Sequence, residues 1–298
     1  MEFIPYQRQE NSPFLQLLYL AFGAIGGLLL FMVLGLGVIM VVYGWDFLKD
    51  MSWLTAGSAA GTGALKIMLT AQQLGLFLFP ALLLGITEGK RPASFYGLKT
   101  PHWPVLGLVL LLMIASMPMM GGINELNQRM VLPDFLKAVE DWMRRMEDEN
   151  AKTTEALLQM RTVVDYLSTL LVVAIVPAIC EEFLFRGALQ RTLLRWIKNP
   201  HVGIWLSAVI FSAIHFQFFG FFPRLLLGAG FGYICYWTGS LWYAVFAHFL
   251  NNGFAVTVAW YFQLKGGSVN DDLPVQWFAA VVSMAVTFLL LRTLKLYR

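Results

Sequence analysis

Apolar runs long enough to cross a lipid bilayer recur along the whole chain, and they constrain its fold more than any other feature. A membrane-spanning helix needs about 20 apolar residues, because it rises about 1.5 Å per residue through about 30 Å of hydrocarbon. The first run, about 17–42, is longer than a signal-peptide core and is predicted to be a retained span. Further runs lie at about 65–86, 104–120, 167–189, 203–219, 222–238, 241–262 and 275–294. We therefore expect an all-α, polytopic membrane helix bundle of about eight transmembrane helices, forming a single membrane domain over residues 1–298.

Composition supports this fold class and excludes one kind of partner. Of the 298 residues, 58% are hydrophobic and only 13% are charged, compared with about 25% charged in an average soluble domain. The net charge of +3 is not concentrated in a basic stripe, so no nucleic-acid partner is indicated. The lipid bilayer is the predicted environment.

Basic residues suggest an orientation, because Lys and Arg are enriched in cytoplasmic loops. If the N-terminus is cytoplasmic, the cytoplasmic segments contain Arg8, Lys90, Arg91, Lys99, Arg191, Arg195, Lys198, Arg292, Lys295 and Arg298. The opposite segments are rich in Asp and Glu, above all in the region 122–162. Both termini are therefore predicted to be cytoplasmic, in the cell (plasma or inner) membrane.

The region 122–162 is the largest polar segment and is predicted to form an extracytoplasmic amphipathic helical loop. Phe135, Val139, Trp142 and Met146 recur at helical spacing among charged residues. A helix that rests on the membrane surface is favoured over a lid that covers the outer face.

Several polar residues lie inside predicted spans, where an ionisable group costs about 2.5–3.5 kcal/mol and needs a partner, a water cavity or a function. They are Glu181, Glu182 and Arg186 in the fourth span, His215 in the fifth, and His248 and Asn252 in the seventh. Counting the helical rise from the span ends places all of them at a similar depth. They are the candidate catalytic residues.

Spacing along each helix separates these residues into faces. Glu182 and Arg186 lie at i and i+4, so they are predicted to form an ion pair, whereas Glu181 is rotated by about 100° and is left to act as a general base. His248 and Asn252 share a helical face. A carboxylate, an imidazole and a carboxamide can thus converge on one site.

Three other features have structural interpretations. Pro177, four residues before Glu181, is predicted to kink the fourth span, and Pro118 is predicted to break the third. Arg224 is predicted to have a capping or interface role in the tight turn between the fifth and sixth spans. Gly228 and Gly232 form a GxxxG pattern that favours close helix packing.

Three short motifs carry a family resemblance. They are EEFLFR with Glu181, Glu182 and Arg186, FSAIH with Phe211 and His215, and HFLNN with His248 and Asn252. In this order, as EExxxR, FxxxH and HxxxN on separate predicted spans, they resemble the CAAX-protease and bacteriocin-processing (CPBP or Abi) family of intramembrane endopeptidases, which includes the Ras-converting CAAX prenyl endopeptidase. The resemblance covers residues 165–260, the predicted catalytic core.

The resemblance implies an all-helical core with a cytoplasm-facing cavity that hydrolyses a peptide bond in a membrane-associated peptide or protein substrate. Glu181 is expected to activate water, with support from Glu182 and Arg186. His215, His248 and Asn252 would position the water and stabilise the oxyanion, or would bind a metal.

A metalloprotease would use His215, His248 and Glu181 as ligands of a divalent metal such as zinc. Because the HExxH pattern is absent, a metal-free glutamate mechanism is preferred, and the cofactor stays open.

Two other functions are compatible with the sequence. A proton-coupled transporter would use the buried carboxylates as a relay, although no inverted repeat with broken helices is found. A non-catalytic membrane scaffold or immunity protein would need the same residues only for packing.

Overall fold

The computed structural model describes residues 10–49, 59–89, 91–267 and 276–297, and all regular secondary structure in these ranges is helical. The main helices are α1 (Pro13–Tyr43), α2 (Ala59–Gln72, Gln73–Leu78 and Phe79–Glu88), α3 (Trp103–Gln128), α4 (Lys137–Leu158), α5 (Val163–Ile197), α6 (Pro200–Ala213), α7 (Phe221–Thr238), α8 (Leu241–Leu264) and α9 (Trp277–Lys295). Arg8, Lys90, Arg298 and several acidic residues of the orientation argument lie outside the described ranges.

Within the described ranges, six helices are long and apolar enough to cross a membrane, namely α1, α2, α3, α5, α7 and α9. The chain is therefore a multi-pass membrane protein. Two of the eight predicted spans are not among the six. The 14 residues of α6 extend only about 21 Å. The 24 residues of α8 are long enough but carry His248, Asn251 and Asn252 at their centre.

The predicted break at Pro118 is wrong, because α3 continues through this residue to Gln128. Beside the proline, the Ser283 hydroxyl of α9 accepts a hydrogen bond from the Met119 N–H at 3.0 Å and donates one to the Ala115 carbonyl. The hydroxyl thus bridges two backbone groups at the position where the proline disturbs the helical ladder. A side chain from a neighbouring helix keeps α3 continuous.

The close packing predicted from Gly228 and Gly232 is confirmed. A Cβ atom on Gly228 would lie 3.1 Å from a ring carbon of Phe211, and one on Gly232 would lie 2.8 Å from a methyl carbon of Ile204. The absence of side chains also leaves room for Arg186, whose Nη2 donates to the Gly228 carbonyl at 2.8 Å. Helices α5 and α6 therefore both approach the backbone of α7.

Helix α5 changes its winding twice near the candidate site. Its π-helical segments are Leu170–Ile175 and Phe183–Gln190, on either side of the α-helical segment Val176–Glu182. Pro177 has no N–H to donate to the Val173 carbonyl four residues earlier. Asn252 of α8 donates its Nδ2 to this carbonyl at 3.0 Å. The hydrogen bond ties α8 to α5 about two turns before Glu181.

Candidate active site

The Glu181 carboxylate lies at the centre of the candidate site and has two different sides. Its Oε1 accepts a hydrogen bond from Gln73 Nε2 at 2.9 Å. Its Oε2 faces two imidazoles, at 4.0 Å from His215 Nε2 and 3.9 Å from His248 Nε2. The structure therefore brings together three of the predicted site residues, which belong to α5, α8 and the turn after α6.

The second carboxylate, Glu182, is fully buried and serves a different set of partners. Its Oε1 accepts hydrogen bonds from Arg186 Nη1 and from His248 Nδ1, both at 2.8 Å. The predicted ion pair between Glu182 and Arg186 is present, with both side chains almost inaccessible. The contact with His248 was not predicted. It means that the ion pair also holds one imidazole in a fixed orientation.

Hydrogen-bond partners define which imidazole nitrogens carry hydrogen. His248 Nδ1 donates to the Glu182 carboxylate, and its Nε2 receives the Asn252 carboxamide N–H at 3.3 Å. His215 Nδ1 lies 2.7 Å from the Phe211 carbonyl, which can only accept. In the neutral imidazoles, both Nε2 atoms that face Glu181 are therefore acceptors, but the lone pair of His248 Nε2 is engaged by Asn252, and only that of His215 Nε2 is free.

His215 was predicted to lie inside the fifth span, four residues after Phe211 on the same helix. This prediction is wrong, because His215 lies beyond the end of the helix. Helix α6 ends at Ala213, and His215 occupies the following turn, next to Phe216 with a left-handed φ of 51°. The imidazole bends back to the Phe211 carbonyl, one of the terminal groups that no longer has a helical N–H partner. The side chain itself thus caps the helix end.

These residues border a cavity of about 340 Å³. Its walls are formed by Asn124, Glu181, Phe211, His215, Gln217, Gly220, Pro223, Arg224, Leu227, Phe231, His248, Asn251 and Asn252. Arg224 donates to the Gln217 carbonyl at 3.3 Å and to its side-chain oxygen at 2.6 Å. Arg224 thus holds the connection between α6 and α7, where a capping or interface role was predicted, and its side chain also lines the cavity.

Helix α4 packs against the turn that forms one rim of this cavity. Asn150 Nδ2 donates to the Phe216 carbonyl at 3.4 Å, and the Arg144 guanidinium lies 4.4 Å from the centre of the Phe219 ring. Phe219 N–H also donates to Glu147 at 3.4 Å. The amphipathic helix predicted in the region 122–162 therefore exists and contacts the cavity rim.

The cavity and the N-terminal segment lie at opposite ends of the bundle. Asn124, Gly220 and Arg224 line the cavity near the end of α3 and the start of α7. Glu10, by contrast, pairs with Arg191 in the last turns of α5. The cavity and the N-terminal segment therefore face opposite sides of the membrane, so they cannot both be cytoplasmic.

The spacing of Glu181 from His215 and His248 is wider than the spacing of ligand atoms around a bound tetrahedral zinc. In the described part of the chain, no group of three His, Cys, Asp or Glu side chains is placed to hold a metal ion. The facing atoms are 3.9 and 4.0 Å apart, whereas tetrahedral zinc with bonds of about 2.0–2.1 Å sets ligand atoms about 3.3 Å apart. The same gap accepts a water oxygen at about 2.8 Å from Glu181 Oε2 and from a facing imidazole.

The sequence-based prediction included Asn252 but missed three other carboxamides of the site. Gln73 lies within an apolar run and contacts Glu181, while Asn124 and Asn251 line the cavity. These residues were not predicted because the sequence criterion was the cost of placing an ionisable group inside a membrane span. A glutamine or asparagine inside a predicted span is also costly to bury, and this signal identifies Gln73 and Asn251.

Comparison with known proteins supports the class of protein that the motifs indicate. The family model described as type II CAAX prenyl endopeptidase Rce1-like matches residues 163–254, about a third of the chain, from the start of α5 into α8. This match confirms the resemblance. The segment that carries Glu181, His215 and His248 is an Rce1-like region, and the family is one of membrane endopeptidases.

A curated relative matches a shorter stretch. The chain is 34% identical over 77 residues to the uncharacterized protein YpbD of Bacillus subtilis (strain 168), a match that covers 24% of this chain and 36% of the relative. The chain thus spans about a third of the length of this relative. No solved structure matches the chain.

Proposed function

We propose that the protein is an intramembrane endopeptidase in which Glu181 activates the attacking water. One observation carries this proposal: Glu181 Oε2 faces two imidazole nitrogens, across gaps of 3.9 and 4.0 Å, on the wall of a cavity. A buried carboxylate with a free oxygen on a cavity wall is well placed for general-base catalysis. The Rce1-like match of the surrounding segment supports the same reaction class.

The proposed reaction begins with a water held between Glu181 Oε2 and His215 Nε2, which lie 4.0 Å apart. Both groups accept hydrogen bonds, so the water donates both hydrogens and keeps its lone pairs for attack. As the water oxygen bonds to the substrate carbonyl carbon, Glu181 takes one proton. The carboxyl returns this proton to the amide nitrogen as the carbon–nitrogen bond breaks, which leaves an acid and an amine.

Oxyanion stabilisation requires hydrogen-bond donors, which the neutral imidazoles do not offer at Nε2. We assign this role to donors on the cavity wall, the Asn251 carboxamide and the Arg224 guanidinium. Asn252 is better suited to hold His248, because its Nδ2 is shared between His248 Nε2 and the Val173 carbonyl. This assignment departs from the role that the family resemblance implies for Asn252.

Glu182 and Arg186 act as positioning residues in this proposal. The carboxylate fixes Nδ1 of His248, and the guanidinium holds the carboxylate and is itself anchored to the Gly228 carbonyl. With Glu182 at Nδ1 and Asn252 at Nε2, the His248 ring is held in one orientation beside Glu181. The proposed substrate is a membrane-associated peptide or protein, cleaved in the cell membrane.

The test is a map of new protein termini in native membranes that carry the wild-type chain or Glu181→Gln at equal abundance. We expect a set of termini that appears only with the wild type, which would also identify the substrates. Exposed Glu149 of α4 offers a matched carboxylate control, and Glu149→Gln should leave the same termini in place. If no terminus depends on Glu181, the peptidase proposal fails, and a scaffold or transport function takes its place.

A further inference from the structure

We infer that Gln73, on a helix outside the Rce1-like segment, is a positioning residue for the Glu181 carboxylate. The inference rests on the proposed peptidase function and extends it to α2. Gln73 Nε2 donates to Glu181 Oε1 at 2.9 Å, and this is the hydrogen bond that holds one carboxylate oxygen away from the two imidazoles. The other oxygen, Oε2, is thereby presented to His215 and His248.

The side-chain amide of Gln73 lowers the stability of its surroundings, because only part of its hydrogen-bonding capacity is used. Its Oε1 is buried and accepts no hydrogen bond from any described residue. An unpaired buried acceptor is unfavourable, and an apolar side chain at this position would avoid it. A local feature that lowers stability while it orients a reactive group is typical of a functional site.

The backbone around Gln73 is held firmly on both sides. Gln73 begins the π-helical segment Gln73–Leu78, a type of helix irregularity that is frequent at functional sites. Two residues later, Gly75 touches the backbone of Gly27 in α1 so closely that a Cβ on either glycine would clash. The ring of Phe77 packs against Phe185 of α5, with ring centres 6.1 Å apart.

The amide is also suited to both protonation states of a general base. While Glu181 is ionised, the Gln73 N–H groups donate to it. When Glu181 has taken the proton of water, a carboxamide accepts as well as donates, so it can keep its contact with the neutral acid. An aliphatic side chain offers neither interaction.

The experiment compares Gln73→Leu with Gln72→Leu, using a peptide that spans a bond identified by terminus mapping. Gln72 is the adjacent residue, is also half-buried, and makes no side-chain hydrogen bond to any described residue. We expect Gln73→Leu to lower kcat by about 10–100-fold, the range found when a partner that orients a catalytic group is lost. KM should change by less than about twofold, and Gln72→Leu should match the wild type in both constants.

A second variant, Gln73→Glu, keeps the shape of the side chain. It should change how activity depends on pH, which a change in packing alone would not do. While the introduced carboxyl group is protonated, it donates to Glu181 as the amide does. Once it ionises, it repels Glu181, because two adjacent carboxylates are unfavourable when both are negatively charged. The activity of Gln73→Glu should therefore fall as the pH rises through a range in which the wild type keeps its activity. This variant also serves if Gln73→Leu does not fold.

The outcomes separate the inference from the proposed function. Wild-type kcat in Gln73→Leu, or the same pH profile in Gln73→Glu and the wild type, would overturn the role of Gln73. Glu181→Gln, assayed in parallel, should be inactive. If it cleaves the peptide as the wild type does, the proposed function itself is wrong.

Discussion

The two ends of the bundle both contain carboxylates that are buried or partly buried, but they differ in how completely these groups are paired. At the end that holds Glu10, Glu88 accepts hydrogen bonds from the backbone and side chain of Asn11, at 2.7 and 2.5 Å, and from Gln16 at 3.1 Å. Glu10 pairs with Arg191 and Arg195. We call these residues the terminal network.

At the cavity, pairing is incomplete. Glu181 Oε2 lies 3.9 and 4.0 Å from two imidazole nitrogens, and Gln73 Oε1 and Glu182 Oε2 have no hydrogen-bond partner among the described residues. Buried polar groups in native proteins are usually paired, so unpaired groups that cluster need an explanation. The paired carboxylates of the terminal network hold helices together, whereas we propose that the carboxylate at the cavity acts on water and substrate.

The largest expected effect concerns the membrane side that each end faces. In a background without Cys180 and Cys235, Lys152→Cys lies on α4 at the cavity end, and Lys198→Cys lies at the opposite end. The predicted orientation requires a membrane-impermeant maleimide to label Lys152→Cys in intact cells and Lys198→Cys only after permeabilisation. The reverse pattern would place the cavity in the cytoplasm, as the family resemblance implies, and the termini outside.

Loss of Arg186 should produce the largest change in stability. Arg186→Met leaves the fully buried Glu182 without its cation and removes the hydrogen bond to the Gly228 carbonyl. Breaking a buried ion pair by removing one partner destabilises by about 3–5 kcal/mol. Thermal unfolding in detergent should show a clear loss, and the double variant Glu182→Gln with Arg186→Met should recover part of it. A wild-type melting temperature in Arg186→Met would contradict the buried pair.

A smaller loss of stability is expected in the terminal network. Glu88→Gln keeps the shape of the side chain but weakens its three charge-assisted hydrogen bonds, each of which is worth about 1.5–3 kcal/mol when one partner is charged. The replacement retains an acceptor oxygen, so we expect a net loss of about 1–2 kcal/mol. Denaturation of Glu149→Gln, an exposed carboxylate change, should match the wild type.

The smallest effect is a dependence of stability on pH at Glu10. The hydrogen bond from Arg191 is the main reason that the pKa of Glu10 lies below its ordinary value of 4.5. A group with a lowered pKa in the folded state stabilises at pH values above the ordinary pKa, and this contribution is lost as the pH falls through the folded-state pKa. The melting temperature of the wild type should therefore exceed that of Glu10→Gln at pH 7, and the difference should shrink as the pH falls below 4.5 and through the folded-state pKa of Glu10. A constant difference would show that Glu10 acts without its charge.

Helix boundaries show how much of the fold was predictable. The apolar runs located all main helices except α4, because burial in lipid demands long apolar segments, and α4 was located by its amphipathic pattern. The start of α5 at Val163 also had a local signal, the capping box between Thr162 and Asp165, which the apolar run beginning at 167 does not include. The continuation of α3 through Pro118 had no local signal, since it depends on Ser283 of α9.

In the candidate site, contacts within one helix were predicted from the sequence, but contacts between helices were not. Helical spacing correctly separated Glu181 from the pair of Glu182 and Arg186, because residue rotation along a helix is regular. The contact between Glu182 and His248 depends on how α5 and α8 pack, which spacing within one helix cannot indicate. The turn that holds His215 likewise depends on the geometry of the α6–α7 connection.

The most direct test of this account compares the incompletely paired carboxylate with a fully paired one in the same membranes. Folded protein and newly formed peptide termini would be quantified for the wild type, Glu181→Gln and Glu88→Gln. We expect Glu181→Gln to be folded and to produce none of the dependent termini, whereas Glu88→Gln should be less stable but produce as many termini per folded molecule as the wild type. Termini that persist in Glu181→Gln, or that are lost equally per folded molecule in both variants, would contradict it.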